Sequence, residues 1–190
     1  MCKWESVSSE LEMNYLMIST LIYPWALKRW VTHQKYTKFN TNPMTTNKNT
    51  TDTCDSLLRG ELSAIETYTQ AIGKFGPSVE SGSLKRIQSS HMAHAELLRA
   101  LMKECGEEPA ISSGPWGTFA TTVEGVATIL GESAALIALK QGEEHGIRQY
   151  EKALVDKELC QSVKNLIRDT FLPAQREHLI QLEKCMASLV

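Results

Sequence analysis

The chain has 190 residues, a formal net charge of −2 and a hydrophobic content of 42%. This length suits one domain with a short additional segment. A slightly acidic chain lacks the basic surface that nucleic-acid-binding proteins usually need, so we expect no nucleic-acid partner. Helix-forming residues dominate after Thr53 and no strand-like alternation competes with them, which predicts an all-α fold.

Residues 1–43 differ in composition from the rest of the chain, since they hold three of the four tryptophans and no sustained helical periodicity. Residues 39–53 are polar and rich in Asn and Thr, which is typical of a linker. We therefore predict a non-core extension and linker over residues 1–53 and a helical domain over 54–190. Because Met44 lies shortly before the first helical pattern, we hypothesise that the natural chain starts there. The intact mass of the natural protein tests this hypothesis.

The composition favours a cytoplasmic protein without a membrane-spanning helix. The apolar stretch from Leu16 to Leu27 is shorter than the roughly 20 apolar residues that a spanning helix requires, and acidic residues precede it, which fits a signal peptide poorly. An amphipathic membrane-surface helix over residues 13–31 is a weaker alternative, because Pro24 interrupts it. The five cysteines form an odd set without C-x-x-C spacing, which indicates reduced thiols.

Two helices are predicted first, over residues 55–74 and 83–105, with Gly76 and Pro77 between them. Their apolar residues recur at spacings of three and four, so each helix has one face directed at a core. Polar residues interrupt both faces. The inward polar positions are Glu61 and Tyr68 on the first helix and His91 and His94 on the second.

A long connection over residues 107–131 follows, and we predict a short helix within it at 116–130. The third and fourth helices are predicted over residues 132–155 and 159–188, with Pro173 disturbing the fourth. Glu143 stands seven residues before Tyr150, just as Glu61 stands seven before Tyr68. The inward polar positions of the second pair are Glu143, Tyr150, Gln175 and His178.

Short links within each pair and a long link between the pairs predict two antiparallel hairpins joined by one crossover along the bundle. In this arrangement the inward glutamates and histidines lie at similar depth. Two helix pairs that each carry an inward Glu and an inward His can form a metal site. The candidate ligands are Glu61, His94, Glu143 and His178.

Several segments resemble known ferritin-like proteins. Leu57-Leu-Arg-Gly-Glu61-Leu-Ser-Ala-Ile-Glu-Thr-Tyr68 resembles the first helix of bacterioferritins, in which a ligand Glu precedes a Tyr by seven residues. His94-Ala-Glu and Gly106-Glu-Glu-Pro109 are similar to the second ligand helix and the turn that closes it.

Three further segments resemble more closely a bacterial family of ferritin-like bundles without an assigned function. They are Ser113-Gly-Pro-Trp-Gly117, Gly142-Glu-Glu-His-Gly146 and Leu172-Pro-Ala-Gln-Arg-Glu-His178. The resemblance covers residues 54–186. It implies a ferritin-like four-helix bundle with one long crossover containing a short helix, and the class of fold points to a homodimer.

The chain departs from the di-iron pattern at two positions. In di-iron bundles Glu-x-x-His supplies a bridging carboxylate on the second helix of each pair, whereas this chain has His91 and Gln175 there. A neutral imidazole and an amide do not supply the negative charge that offsets repulsion between two metal ions. A full di-iron ferroxidase centre is therefore disfavoured.

A single metal ion remains chemically sensible. Its candidate ligands are Glu61, His94, Glu143 and His178, with His91 as a fifth ligand and Gln175 beside them. Carboxylate and imidazole together suit Fe²⁺, Mn²⁺ or Zn²⁺. Such a protein would have a role in metal handling or oxidative stress, and any enzymatic activity would be at most metal-dependent and oxidase-like.

The alternative is a metal-free polar core in a structural or stress-associated interaction protein. There Glu61 would pair with His94 and Glu143 with His178, and the two tyrosine hydroxyls would complete the network. The remaining candidates have simpler explanations. We expect His145, Glu66, Glu96 and Glu177 on the surface, Trp116 anchoring the crossover, and Cys54, Cys105 and Cys160 near one end of the bundle, where burial is favoured over a thiol site.

Overall fold

The computed structural model describes residues 48–75, 78–114 and 131–189. The regular structure of these residues is entirely helical, which confirms the all-α prediction. The elements are α1 (Lys48–Phe75), α2 (Val79–Glu104), α3 (Glu132–Val155), α4 (Gln161–Leu166), a π-helical turn (Ile167–Phe171) and α5 (Leu172–Ser188). The last three form one continuous helix, so the described residues form four helices. Within the described ranges, no helix combines the length and apolar character that crossing a membrane requires.

Helices α1 and α2 form an antiparallel hairpin. His91 on α2 lies beside Glu61 on α1, and three residues earlier Gln88 donates a hydrogen bond to Thr69, two turns further along α1. Ser78 caps α2 by accepting a hydrogen bond from the Ser81 N–H at 3.1 Å. The cap satisfies one of the free N–H groups of the first turn.

Helices α1 and α3 are also antiparallel, because Tyr68 of α1 contacts Glu143 of α3 while Glu61 of α1 contacts Tyr150 of α3. It follows that α2 and α3 run in the same direction. The parallel direction of these two helices is the one that the predicted crossover requires. The predicted short helix at 116–130 lies outside the described residues.

Helix α1 begins earlier than the sequence predicts, at Lys48 rather than Asp55. The sequence predicts a polar linker over residues 48–53, and this prediction is wrong. Two side chains of this segment bond to the distant turn after α3. Asn49 donates to Asp156 at 2.9 Å, and the Thr50 hydroxyl accepts from the Cys160 N–H at 3.2 Å. The division into an extension (1–53) and a bundle (54–190) stays a prediction, since residues 1–47 lie outside the described part of the chain.

The fourth helix is interrupted where Pro173 disturbs it. The Leu172 N–H donates to the Ile167 carbonyl, five residues earlier, which closes one π-helical turn. Pro173 has no N–H and cannot continue regular α-helical bonding. The π-helical turn precedes α5, whose buried face includes Gln175 and His178.

Candidate metal centre

The four predicted ligands come together in the core, one from each helix of the bundle. They are Glu61 on α1, His94 on α2, Glu143 on α3 and His178 on α5. Each is at most 4% exposed. Their helical spacing places them on the same faces as the core leucines, as the periodicity predicts.

His91 lies between the two glutamates and contacts both. Its Nδ1 is 2.8 Å from Glu61 Oε2 and its Nε2 is 3.0 Å from Glu143 Oε1. A carboxylate can only accept, so both ring nitrogens must donate, and the ring is an imidazolium. Burial would lower the pKa of His91, but the charges of Glu143 and Glu61 outweigh burial and raise it to about 10.

The two tyrosines link the hairpins by donating to the opposite glutamate. Tyr68 of α1 donates to Glu143 Oε1 of α3 at 2.5 Å, and Tyr150 of α3 donates to Glu61 Oε1 of α1. Burial, followed by the charge of the neighbouring carboxylate, raises the pKa of both tyrosines well above the usual value. Both hydroxyls therefore remain protonated donors.

The two glutamates stay ionised inside the core. Burial alone would raise the pKa of each carboxyl group, but the charge of His91 and its hydrogen bond to each carboxylate, with a further bond from His178 to Glu143, outweigh burial. The pKa of Glu61 and of Glu143 is thus held well below the ordinary range. Two carboxylates face one imidazolium, so their combined negative charge exceeds that of His91 by one.

Two histidine ring nitrogens at the site have no hydrogen-bond partner. His178 Nδ1 donates to Glu143 Oε2 at 3.1 Å, which leaves its buried Nε2 without a partner. Burial, the larger influence, lowers the pKa of His178 despite the nearby carboxylate, so its ring is neutral and Nε2 carries a free lone pair. The Nδ1 of His94 is likewise buried and unpartnered.

The polar pairing differs from the expected one in the first hairpin. Glu61 was predicted to pair with His94, but His94 Nδ1 is 3.6 Å from Glu61 Oε2, beyond hydrogen-bond distance. His91 bonds to Glu61 instead, because its ring lies between the two carboxylates. The His94 ring packs against the ring of Phe171, with the ring centroids 4.5 Å apart. In the second hairpin Glu143 does pair with His178.

The ligand atoms form two overlapping groups. Those of Glu61, His91 and His94 lie within 4.8 Å of one another, and so do those of His91, Glu143 and His178. Both groups share His91, whose Nδ1 faces Glu61 and whose Nε2 faces Glu143. These buried groups could hold a metal ion.

A pocket of about 300 Å³ lies between α1 and α3. Its buried end is lined by Glu61, His91, Glu143 and Gln175, whereas His94 and His178 do not line it. The carboxylates therefore have a side that faces the pocket and a side that faces the two histidines.

Gln175 lies at this pocket, is 3% exposed and has an unpartnered Oε1. Gly146 on α3 makes room for it, because a Cβ at position 146 would collide with the Gln175 amide nitrogen. The close approach of Gly146 and Gln175 fixes how deeply the amide can enter the core.

The other predicted positions lie away from the centre. His145, Glu96 and Glu177 are exposed as expected, while Glu66 is half-buried and accepts a hydrogen bond from Ser113 at 2.7 Å. Trp116 lies outside the described residues. Burial, then the nearby Cys160 and Cys105, raises the pKa of Cys54 to about 12. Among the described residues, the groups with metal-ligand spacing contain no cysteine.

The sequence reasoning missed the pocket. Its walls include five small residues on two facing helices, namely Gly60, Ser63 and Ala64 on α1 and Gly142 and Gly146 on α3. Small residues at helical spacing beside two inward glutamates were the available signal. They leave space between helices that larger side chains would fill.

Comparison with known families adds a classification. The family described as a domain of unknown function (DUF2383) matches residues 49–156. The chain belongs to the DUF2383 family. The matched segment includes α1, α2 and α3, and hence Glu61, His91, His94 and Glu143, while Gln175 and His178 lie beyond it. No curated protein and no solved structure matches this DUF2383 chain.

Proposed function

We propose that this protein is a ferritin-like bundle that binds one divalent metal ion at Glu61, Glu143, His94 and His178, with His91 as a fifth ligand and Gln175 nearby. The observation that carries this proposal is that two buried carboxylates lie in groups with metal-ligand spacing beside histidines that have unpartnered ring nitrogens. Fe²⁺, Mn²⁺ and Zn²⁺ all accept such mixed ligands. The expected role is metal handling or protection from oxidative stress.

Charge and hydrogen bonding both favour a cation at this position. A buried polar atom without a partner costs about 1–3 kcal/mol, and His94 Nδ1 and His178 Nε2 are two such atoms. A divalent ion in place of the His91 proton would balance the two carboxylates. His178 also donates its other ring N–H to Glu143, as metal-binding histidines usually do toward a carboxylate or carbonyl.

The second candidate function is a metal-free bundle with a structural or interaction role. It is favoured by His91, which already occupies the space between the glutamates with both ring nitrogens bonded. Buried networks of this kind persist when all members are satisfied. The unpartnered nitrogens of His94 and His178 weigh against it.

The proposal includes a cytoplasmic location and a homodimer. Four cysteines in the described part of the chain, Cys54, Cys105, Cys160 and Cys185, carry no disulfide, which suits a reducing compartment. Native mass spectrometry tests the dimer.

Metal analysis of protein purified without an affinity tag separates the two candidate functions. After anaerobic incubation with Fe²⁺, Mn²⁺ or Zn²⁺ and removal of free ion, we expect one ion per chain. His94→Ala and His178→Ala should each lose it while the exposed-histidine control His145→Ala retains it. Metal far below one ion per chain in the parent would refute the metal site, and unfolding of both histidine variants would then support the metal-free network.

A further inference from the structure

The pocket between α1 and α3 extends from the surface to the buried glutamates. Its inner end is lined by Glu61, Glu143 and Gln175, each at most 4% exposed. Gly60 and Arg148 also line the pocket and are exposed. A small molecule that enters at the surface therefore reaches two carboxylates and an amide.

The inner end of the pocket carries an uncompensated negative charge. Glu61 and Glu143 are ionised and share one imidazolium, that of His91, which contacts both. Tyr68 and Tyr150 donate hydrogen bonds to the carboxylates but add no charge. A net charge inside a protein is unfavourable unless an opposite charge accompanies it. The inner end therefore favours a ligand with one positive charge.

The same residues can still accept hydrogen bonds. A carboxylate has about four acceptor positions, whereas Glu61 accepts two hydrogen bonds and Glu143 accepts three. Gln175 Oε1 is buried and accepts none, and a bound donor would satisfy it. A primary ammonium group has three N–H donors and one positive charge, so it matches both the acceptors and the charge.

The rest of the pocket suits a short alkyl chain. Leu57, Ala64 and Leu139 line it and provide apolar contacts. Its volume of about 300 Å³ corresponds to about ten water molecules, so it admits only a small molecule. Arg148 is exposed, where solvent and salt screen its charge, so it does not outweigh the buried carboxylates.

We propose that this pocket binds a small aliphatic amine in its ammonium form, with the ammonium group at Glu61, Glu143 and Gln175 and the alkyl chain along the apolar wall. His91 keeps its place between the two carboxylates. Binding therefore requires no metal ion and does not depend on the metal site proposed above.

Three small molecules of similar size test which charge the pocket selects. The full chain, freed of metal by a chelator, is titrated with n-butylammonium, 1-butanol or butyrate. Amide NMR spectra follow the backbone signals of Gly60 and Gly146 and the side-chain signal of Gln175. We expect saturable shifts with n-butylammonium and about tenfold weaker binding of 1-butanol, because a neutral donor forms weaker hydrogen bonds to carboxylates. Butyrate should cause no shift.

Two glutamines of α5 give a matched pair of variants. The Oε1 atoms of Gln175 and Gln181 are both buried without a partner, but Gln175 lines the pocket and Gln181 does not. Gln175→Met should weaken n-butylammonium binding about fivefold, because a thioether is only a weak acceptor. Gln181→Met should leave the affinity unchanged.

Two glycines of α1 give a second pair. Gly60 lines the pocket and Gly73 does not, and a Cβ at either position meets nothing within 4 Å. Gly60→Leu should weaken n-butylammonium binding about tenfold by filling the pocket, while Gly73→Leu should leave it unchanged.

Several results would overturn the amine pocket. They are the absence of shifts with n-butylammonium, equal affinity for 1-butanol, saturable binding of butyrate at the same signals, and equal losses within either pair of variants. Each would leave the metal site standing, because that site is tested by metal content. Loss confined to Gln175→Met and Gly60→Leu supports the pocket.

Discussion

The bundle consists of two hairpins, one formed by α1 and α2 and one that begins with α3. They contribute similar residues to the centre but differ at the position three residues before His94 or His178. The first hairpin has His91 there, with both ring nitrogens bonded to carboxylates. The second has Gln175, whose Oε1 is unpartnered. One hairpin therefore provides a cation for the core, while the other provides an unsatisfied amide facing a pocket.

This difference shows how the core accommodates two buried, ionised glutamates. The His91 imidazolium lies between the carboxylates, and the tyrosines from opposite hairpins donate to them. In the metal-free protein, substitutions in the two hairpins should therefore differ in their effect on stability.

Neutralising either glutamate should be the most destabilising change. Glu143 accepts from Tyr68, His91 and His178, whereas Glu61 accepts from Tyr150 and His91. Breaking a buried ion pair costs about 3–5 kcal/mol, so we expect Glu143→Gln near the upper end and Glu61→Gln near the lower end.

Urea unfolding measures both values, and the exposed Glu177→Gln provides the control with almost no change. Equal or negligible losses for Glu61→Gln and Glu143→Gln would contradict the unequal contribution of the two hairpins.

Removing one tyrosine hydroxyl should cost less. Tyr68→Phe and Tyr150→Phe each delete a buried hydrogen bond to a charged carboxylate, which is worth about 1.5–3 kcal/mol. Because the bonds cross between hairpins in both directions, we expect similar losses of unfolding free energy in chemical denaturation. A loss in only one of the two variants would show that the crossed bonds are not equivalent.

The stability of the metal-free protein should depend on pH through His91. Although burial opposes it, the charges of Glu143 and Glu61 raise the pKa of His91 from 6.5 to about 10. Above pH 6.5 the unfolded chain loses this proton while the folded protein keeps it, so stability falls as pH rises toward 10. The slope is at most about 1.4 kcal/mol per pH unit.

Unfolding measured between about pH 6.8 and 7.5 keeps the thiols almost entirely protonated. His91→Gln should remove the slope, and the exposed control His145→Gln should keep it. The same slope in parent and His91→Gln would contradict an imidazolium at His91.

The smallest effects should come from two helical glycines. Alanine is favoured over glycine in a helix by about 0.5–1 kcal/mol, and a Cβ at Gly60 meets nothing within 4 Å. Gly60→Ala should therefore raise the melting temperature. Gly146→Ala should gain nothing, because its Cβ would collide with the Gln175 amide. A similar gain in both variants would mean that the Gln175 position is not constrained.

Much of the fold followed from local pattern. Helix α3 has the predicted bounds, Glu132–Val155, because Gly131 precedes it and a turn follows. The early start of α1 could not be predicted from neighbouring residues, since Thr50 bonds to Cys160, which is far along the chain. A polar stretch beside a helix becomes helical when distant groups satisfy its side chains.

The sequence predicted which residues belong to the site but not which side chains bond to each other. Helical periodicity predicted that Glu61, His91 and Glu143 face inward, because this depends only on spacing. Which histidine reaches which carboxylate depends on rotamers and on the distance between helices. For that reason the sequence did not reveal that His91 contacts both carboxylates. The pocket likewise depends on the distance between α1 and α3, which belong to different hairpins.

The π-helical turn at Ile167–Phe171 has a consequence for the geometry of α5. A regular α-helix turns by about 100° per residue, and a π-helical turn takes up one residue more than an α-helical turn for about the same rotation. The additional residue is absorbed locally, so Gln175 and His178 keep the rotational phase that directs them at the core. Deleting Thr170 would close the turn into regular α-helix and leave both side chains facing inward, so this segment tolerates a change of length that α5 itself would not.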